Sequence, residues 1–115
     1  MKKLLKRILN DKDITDLTAD KKSYSIKAQN AKPPYVVYTI IDEFGSEFAE
    51  NTEIATRYNI QVDIFSKNDF DDLKEKIIKT MNKNEFYRNG GNESFESDTG
   101  LYHCVLRFNY TKERI

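Results

Sequence analysis

A strict alternation of side chains constrains the fold more than any other feature of this chain. Over residues 54–65 every second side chain is apolar, aromatic or β-branched, and these share one face: Thr56, Tyr58, Ile60, Val62 and Ile64. The intervening side chains form a polar face: Arg57, Asn59, Gln61 and Asp63. Alternate residues of a strand point to opposite faces, and one polar face is typical of an antiparallel sheet covered on one side. The pattern therefore predicts a half-buried antiparallel strand over residues 54–65.

A second apolar segment, residues 35–42, precedes this strand. Pro33 and Pro34 lead into it, and proline favours extended backbone while lacking a ladder N–H, so the pair predicts a strand entrance. The segment carries β-branched and aromatic side chains on both faces. That is typical of a strand buried on both sides, or covered by a helix on one side and by a partner on the other. Residues 44–52 then predict a hairpin loop marked by Gly45-Ser46.

Helical spacing replaces strand alternation in two places. Residues 1–10 predict a first helix with one apolar stripe: Leu4, Leu5, Ile8 and Leu9. A second helix is predicted to begin at Asn68 as its N-cap, and its apolar stripe holds Phe70, Leu73, Ile77, Ile78 and Met81. Its first turn is acidic, which suits the positive end of a helix: Asp69, Asp71 and Asp72.

Two segments show little periodicity. Residues 11–32 predict a long, loosely packed polar connection, with one helical turn near Ile14 and a short extended piece at Tyr24. Residues 89–100 predict a flexible loop, because glycines bracket it at Gly90-Gly91 and at Gly100.

The C-terminal part predicts two more strands. Residues 85–90 predict a short strand and residues 101–110 a longer one, whereas the polar tail 111–115 is predicted to fray. Alternation assigns the following residues of the longer strand to the core face: Tyr102, Cys104, Leu106, Phe108 and Tyr110.

These elements follow the order α-β-β-α-β-β, which predicts the α+β class. We expect about four strands in a mainly antiparallel sheet, packed on one face by two helices. A length of 115 residues fits one domain, here residues 1–115 with the core in 33–110.

Composition excludes several classes of function. The 19 basic and 19 acidic residues cancel, which argues against a protein that wraps nucleic acid or lies on an anionic membrane. No segment approaches the roughly 20 apolar residues that span a bilayer. The single cysteine excludes an internal disulfide and is typical of a reducing cytosol.

No set of residues predicts catalysis, a metal or a cofactor. His103 and Cys104 are neighbours on opposite faces of one strand, so they cannot form a nucleophile pair, and zinc would need more nitrogen and sulfur ligands. The carboxylates of residues 43–53 lack the spacing of a calcium loop, and Gly90-Gly91 lacks that of a phosphate loop. The prediction is a protein that is not an enzyme.

Three segments carry a resemblance to a known family. They are residues 34–38, residues 53–67 with a capped helix after them, and the closing residues 99–110. Together they resemble the tail-completion proteins (tail terminators, head–tail joining proteins) of long-tailed bacteriophages and prophages. The resemblance covers residues 33–110, with a matching helix at the start.

The resemblance implies a non-enzymatic virion protein. Such a protein forms a ring, commonly a hexamer, on the head-proximal end of the tail tube, stops tube polymerisation and joins tail to head. Its partners are other copies of itself, the tube protein and the head connector, without membrane or sequence-specific nucleic-acid binding. It assembles in the bacterial cytoplasm. The alternatives are a head-side connector or stopper ring, and a non-virion adaptor module of a mobile element.

The candidate interface residues follow from the polar segments that join the predicted strands. We expect residues 43–53 and 89–100 to contact the tube or a neighbouring subunit, with Arg57 and Asp63 near the ring interface or lumen. The full candidate set is Glu43, Glu47, Glu50, Glu53, Arg57, Asp63, Asn92 and Glu93.

Overall fold

A long antiparallel hairpin runs through the fold, and the other elements lie around it. The computed structural model describes residues 1–114. Its elements in chain order are α1 (Lys2–Leu9), α2 (Lys12–Thr15), β1 (Tyr24–Ser25), β2 (Tyr35–Ala49), β3 (Thr52–Ser66), α3 (Asp71–Lys83), β4 (Tyr87–Glu96) and β5 (Leu101–Glu113). The sheet order is β1-β2-β3-β5-β4, parallel only between β1 and β2. The chain is therefore one α+β domain with a mixed five-stranded sheet and three helices, which corrects the expected four strands and two helices.

The side chains of β3 alternate between a buried face and a more exposed polar face, as predicted. Tyr58, Ile60, Val62 and Ile64 are buried, whereas Arg57, Asn59 and Gln61 on the other face stay partly exposed. Ile60 lies opposite Ile40 of β2 and Phe108 of β5 in the sheet register, so the apolar face continues across three strands. The half-buried antiparallel strand is confirmed, with bounds slightly wider than predicted.

Two helices cover this apolar face. α1 contributes Leu5, Ile8 and Leu9, and α3 contributes Leu73, Ile77 and Met81, all of them buried. The apolar stripes are thus confirmed.

The predicted cap of α3 is wrong. The helix begins at Asp71, whose N–H donates to the Asp69 carboxylate at 2.9 Å, while the Asn68 N–H donates to the hydroxyl of Ser66 at 3.2 Å. Residues 66–69 therefore form a turn of their own before the helix starts, because short polar side chains offer the backbone acceptors outside a helix.

The connection between α1 and β2 is packed, not loose. Ile14 and Thr18 are buried, and the Ser23 hydroxyl donates to the carbonyl of Leu9 at 2.7 Å. The N–H of Ala19 donates to the carbonyl of Pro34 at 2.9 Å. The predicted helical turn and extended piece exist as α2 and β1. Local hydrogen bonds fix the segment, and hydrophobic periodicity cannot show these.

The predicted hairpin loop at 44–52 is strand almost throughout. β2 continues to Ala49, which pairs with Thr52, so the turn holds only Glu50 and Asn51. Both turn residues have positive φ (51° and 66°), as type I′ hairpin turns require. Gly45-Ser46 instead marks a shift in the strand register between Gly45 and Glu47.

The predicted loop at 89–100 is also wrong. Gly90 and Gly91 lie in β4, paired with Arg107 and Leu106 of β5, and the connection to β5 is confined to residues 97–100. The glycines accompany a register shift after Arg88, so they mark an irregular strand and not a loop.

The last strand differs from its prediction at both ends. β5 continues to Glu113, so residues 111–113 do not fray, and Ile115 lies outside the described residues. Cys104 and Phe108 are buried as predicted. Tyr102, which the alternation assigns to the core face, is instead 45% exposed, and its ring packs at 5.0 Å between centroids against Phe95 of β4, which is itself exposed.

The two glycines of β4 provide a matched test of this packing. At Gly91 an added Cβ would overlap the carbonyl oxygen of Val105, whereas at Gly90 it would meet nothing within 4 Å. We expect Gly91→Ala to lower the free energy of unfolding by about 1–3 kcal/mol, because backbone must shift to admit the methyl group. Gly90→Ala should leave it unchanged or slightly higher. Urea denaturation measures both, and equal effects would contradict this register of β4.

Candidate functional site

The end of the β2–β3 hairpin forms an arm, defined here as residues 42–53. β5 accompanies β3 only as far as Ala55, so the tip of the arm has two strands while the body of the sheet has more. The molecule measures 52 × 28 × 23 Å, and a long hairpin suits that elongated shape. The arm contains no basic residue and five acidic ones: Asp42, Glu43, Glu47, Glu50 and Glu53.

The arm also exposes large apolar side chains. Phe44 is 49% exposed and Phe48 is 62% exposed. The Phe48 ring lies over Gly45, where an added Cβ would stand 2.5 Å from the ring. Exposed aromatic rings with polar surroundings are typical of protein–protein contact surfaces. The arm is therefore the strongest candidate for such a surface.

The structure brings together part of the predicted interface set. Glu43, Glu47, Glu50 and Glu53 all lie on the arm. Arg57 lies at its base, half-buried, with Phe44 of β2 and Thr111 of β5 as register partners. Asp63 lies six residues further along β3, about 20 Å away at 3.3 Å per residue. The two candidates therefore do not lie at one point of the hairpin, and the distance excludes an ion pair between them.

The two remaining candidates lie at the opposite edge of the sheet from the arm. Asn92 and Glu93 belong to β4, which β5 and β3 separate from β2. Glu93 points to the helix side and forms an ion pair of 2.7 Å with Lys74 of α3, and this contact raises the pKa of Lys74. These two residues therefore do not share a surface with the arm.

A row of rings crosses the sheet face that the helices leave free. Tyr24 meets Tyr35 edge to face with 6.4 Å between ring centroids, and Tyr35 stacks on Phe65 at 4.9 Å. Phe65 stacks in turn on His103 at 4.2 Å. The row connects β1, β2, β3 and β5. Sequence reasoning missed it because the four residues come together only through the strand register.

His103 ends this row between two carboxylates. Its Nε2 lies 2.8 Å from Oδ1 of Asp63, and its Nδ1 lies 3.4 Å from Oε2 of Glu96. Asp63 is only 8% exposed and also accepts a hydrogen bond from Gln61 at 3.0 Å. A neutral imidazole donates to one carboxylate and an imidazolium to both. The buried carboxylate of Asp63 therefore has hydrogen-bond partners within the protein.

This cluster lacks the parts of a hydrolytic or metal site. Carboxylates occupy both ring nitrogens of His103, and Cys104 lies on the opposite face of β5. Within residues 1–114 no group of three or more histidine, cysteine or acidic side chains is arranged to hold a metal ion.

Cys104 lies in the core under α3. Burial raises the pKa of its thiol to about 11. A thiol in this state supplies little thiolate near neutral pH, and the thiolate is the reactive form.

Comparison with models of known protein families gives no match, and comparison with curated proteins gives none either. The resemblance to tail-completion proteins therefore rests on the residues that carry it. No helix within residues 1–114 combines the length and apolar character that crossing a bilayer requires.

The carboxylate–histidine contact makes a testable contribution to stability. We expect His103→Phe to keep the stacking on Phe65. The variant should nevertheless lower the free energy of unfolding by about 1–3 kcal/mol, because Asp63 stays buried and loses the imidazole that contacts its carboxylate. Adding Asp63→Asn should recover part of this loss, since a neutral amide costs less to bury. Chemical denaturation of the two single variants and the double variant measures the coupling. Strictly additive losses would contradict it.

The buried thiol predicts slow labelling. An aromatic disulfide reagent at pH 8 should react with the native protein about 100-fold or more slowly than with the protein in denaturant, because thiolate is scarce and access is blocked. Absorbance of the released thiolate follows both reactions. Fast stoichiometric labelling of the native protein would place Cys104 at the surface.

Proposed function

We propose that this chain is a non-enzymatic structural protein of a long-tailed bacteriophage. It caps the head-proximal end of the tail tube as a ring, with the six copies that the family resemblance implies, terminates tube polymerisation and joins the tail to the head. The observation that carries the proposal is the acidic arm, which exposes Phe44 on the edge strand β2 and Phe48 beyond the end of β5.

The shape of the molecule supports a ring subunit. A ring requires two different surfaces on each copy, one for each neighbour, together with further surfaces for the tube and the head connector. The arm offers one surface, and the uncovered sheet face with the row from Tyr24 to His103 offers another at the opposite end of the hairpin. The helix layer offers a third.

Two of the segments that carry the family resemblance lie side by side in the fold. The closing residues 99–110 form most of β5, and residues 53–67 form most of β3, so the two resembling segments are neighbours in the centre of the sheet. They belong to the scaffold from which the arm extends.

Electron microscopy of lysates from the phage or prophage with this gene deleted tests the role. We expect over-long or irregular tails beside filled, unattached heads, because nothing stops tube growth. Normal-length tails beside unattached heads would move the role to the head-side connector. Normal infectious particles would reject the virion role and favour an adaptor module.

Complementation of the same deletion tests the arm. Phe44→Ser combined with Phe48→Ser should fail to restore normal tails, while the free energy of unfolding changes by about 1 kcal/mol or less, because both rings are largely exposed. Tyr87→Ser is the matched control, since Tyr87 is 55% exposed on β4 and outside the arm. Full rescue by the double variant would remove the arm from the assembly contact.

A further inference from the structure

Opposite charges are segregated on two surfaces of this chain. The arm holds five acidic residues and no basic one. Part of the helix layer shows the reverse: α1 holds four basic residues and no acidic one, and residues 76–83 of α3 hold three more basic residues and no acidic one. The acidic residues of α3 all precede residue 76. The basic residues are Lys2, Lys3, Lys6, Arg7, Lys76, Lys79 and Lys83.

Part of this basic surface is concave. A groove of about 420 Å³ lies between the end of α1 and the second half of α3. Its charged lining residues are Arg7, Lys76, Lys79 and Lys83, with Asp11 and Asp13 also in the lining. Asp11 is engaged locally, because its carboxylate accepts the N–H of Asp13 at 2.9 Å. We call this cleft the basic groove.

Neither surface forms an ion pair within the part of one copy that the structure describes. The ion pairs among residues 1–114 join Lys74 to Glu93 and His103 to Asp63 and Glu96. None of these pairs uses an arm carboxylate or a cation of the basic groove. Asp42 and Glu53 accept hydrogen bonds from the uncharged side chains of Asn59 and Thr56, which leaves the charge of both sets available to another molecule.

We propose that the arm of one copy docks into the basic groove of the next copy. The occupant is a second copy of this chain because the two surfaces are complementary in charge: the arm carries acidic side chains with exposed phenylalanines, and the groove carries four cations against two carboxylates. The contact joins two different surfaces, so it repeats head to tail and closes a ring when the rotation between copies permits. This inference rests on the proposed function, for which it specifies the contact between subunits.

The two kinds of side chain have separate effects in this contact. Complementary charge accelerates encounter and fixes the orientation of the arm, and salt weakens it because the Debye length is about 8 Å at physiological ionic strength. Phe44 and Phe48 lose exposed apolar surface on docking, which slows dissociation.

Charge reversal in both surfaces tests the contact. Glu47→Lys with Glu50→Lys changes the arm, and Lys76→Glu with Lys79→Glu changes the basic groove; all four side chains are exposed. Sedimentation velocity of the purified chain at low salt measures self-association. Each double variant alone should lose about 100-fold or more in association constant, because like charges then face each other across the interface.

Mixing the two double variants should restore association. The reversed arm of the arm variant then meets the reversed groove of the groove variant. The native arm of the groove variant likewise meets the native groove of the arm variant. Closed rings formed by the mixture must alternate the two variants and therefore contain an even number of copies. The quadruple variant should associate by itself.

A control variant separates this contact from net charge. Asp16→Lys with Asp98→Lys makes the same change in net charge as the arm variant, at exposed positions outside both surfaces. It should associate like the native chain. Loss of association in this control, or no recovery on mixing, would overturn the proposal. So would a native chain that stays monomeric at low salt up to about 1 mM.

The phage deletion, complemented with variants, distinguishes the arm-to-groove contact from the role in tail termination. Over-long tails in the deletion, restored by the arm variant Glu47→Lys with Glu50→Lys, would reject the arm-to-groove contact and leave tail termination in place. Recovery of association on mixing, together with normal particles in the deletion, would establish the contact and reject the virion role.

Discussion

Burial of one sheet face beneath two helices is the constraint on which the rest of this structure depends. Ile60 lies in the middle of that face, between Ile40 and Phe108, and α1 and α3 close over it. Both helices pack on this side of the sheet. The polar and aromatic side chains of the other face therefore stay in partial contact with solvent. The arm likewise extends beyond any helical cover.

Much of the scaffold was predictable because its periodicity is strong. The alternation in β3 and the apolar stripes of α1 and α3 reflect burial directly, so the sequence predicts their type and orientation. The missed features have a different origin. Glu50 and Asn51 form the hairpin turn although Gly45 lies nearby, and Gly90 and Gly91 lie inside a strand. Glycine marks backbone irregularity in both places, and sequence alone does not distinguish a bulge from a turn.

The candidate site was only partly predictable for a related reason. The acidic residues of the arm are close in sequence. They therefore cluster in the strands of the structure as they would have done in the predicted loop. The ring row and the contacts of His103 with Asp63 and Glu96 join residues from different strands, and these depend on register. Asn92 and Glu93 entered the set through a predicted loop, and their position in β4 separates them from the arm.

The two-residue turn at Glu50 and Asn51 limits how the reach of the arm can change. Successive side chains of a strand alternate between faces, so inserting one residue in each strand would exchange the inward and outward sides of everything beyond it. Lengthening by two residues in each strand preserves both faces and extends the arm by about 7 Å. Arms of different length on this scaffold should therefore differ in steps of about 7 Å, and any surface that bound the arm would have to match that spacing.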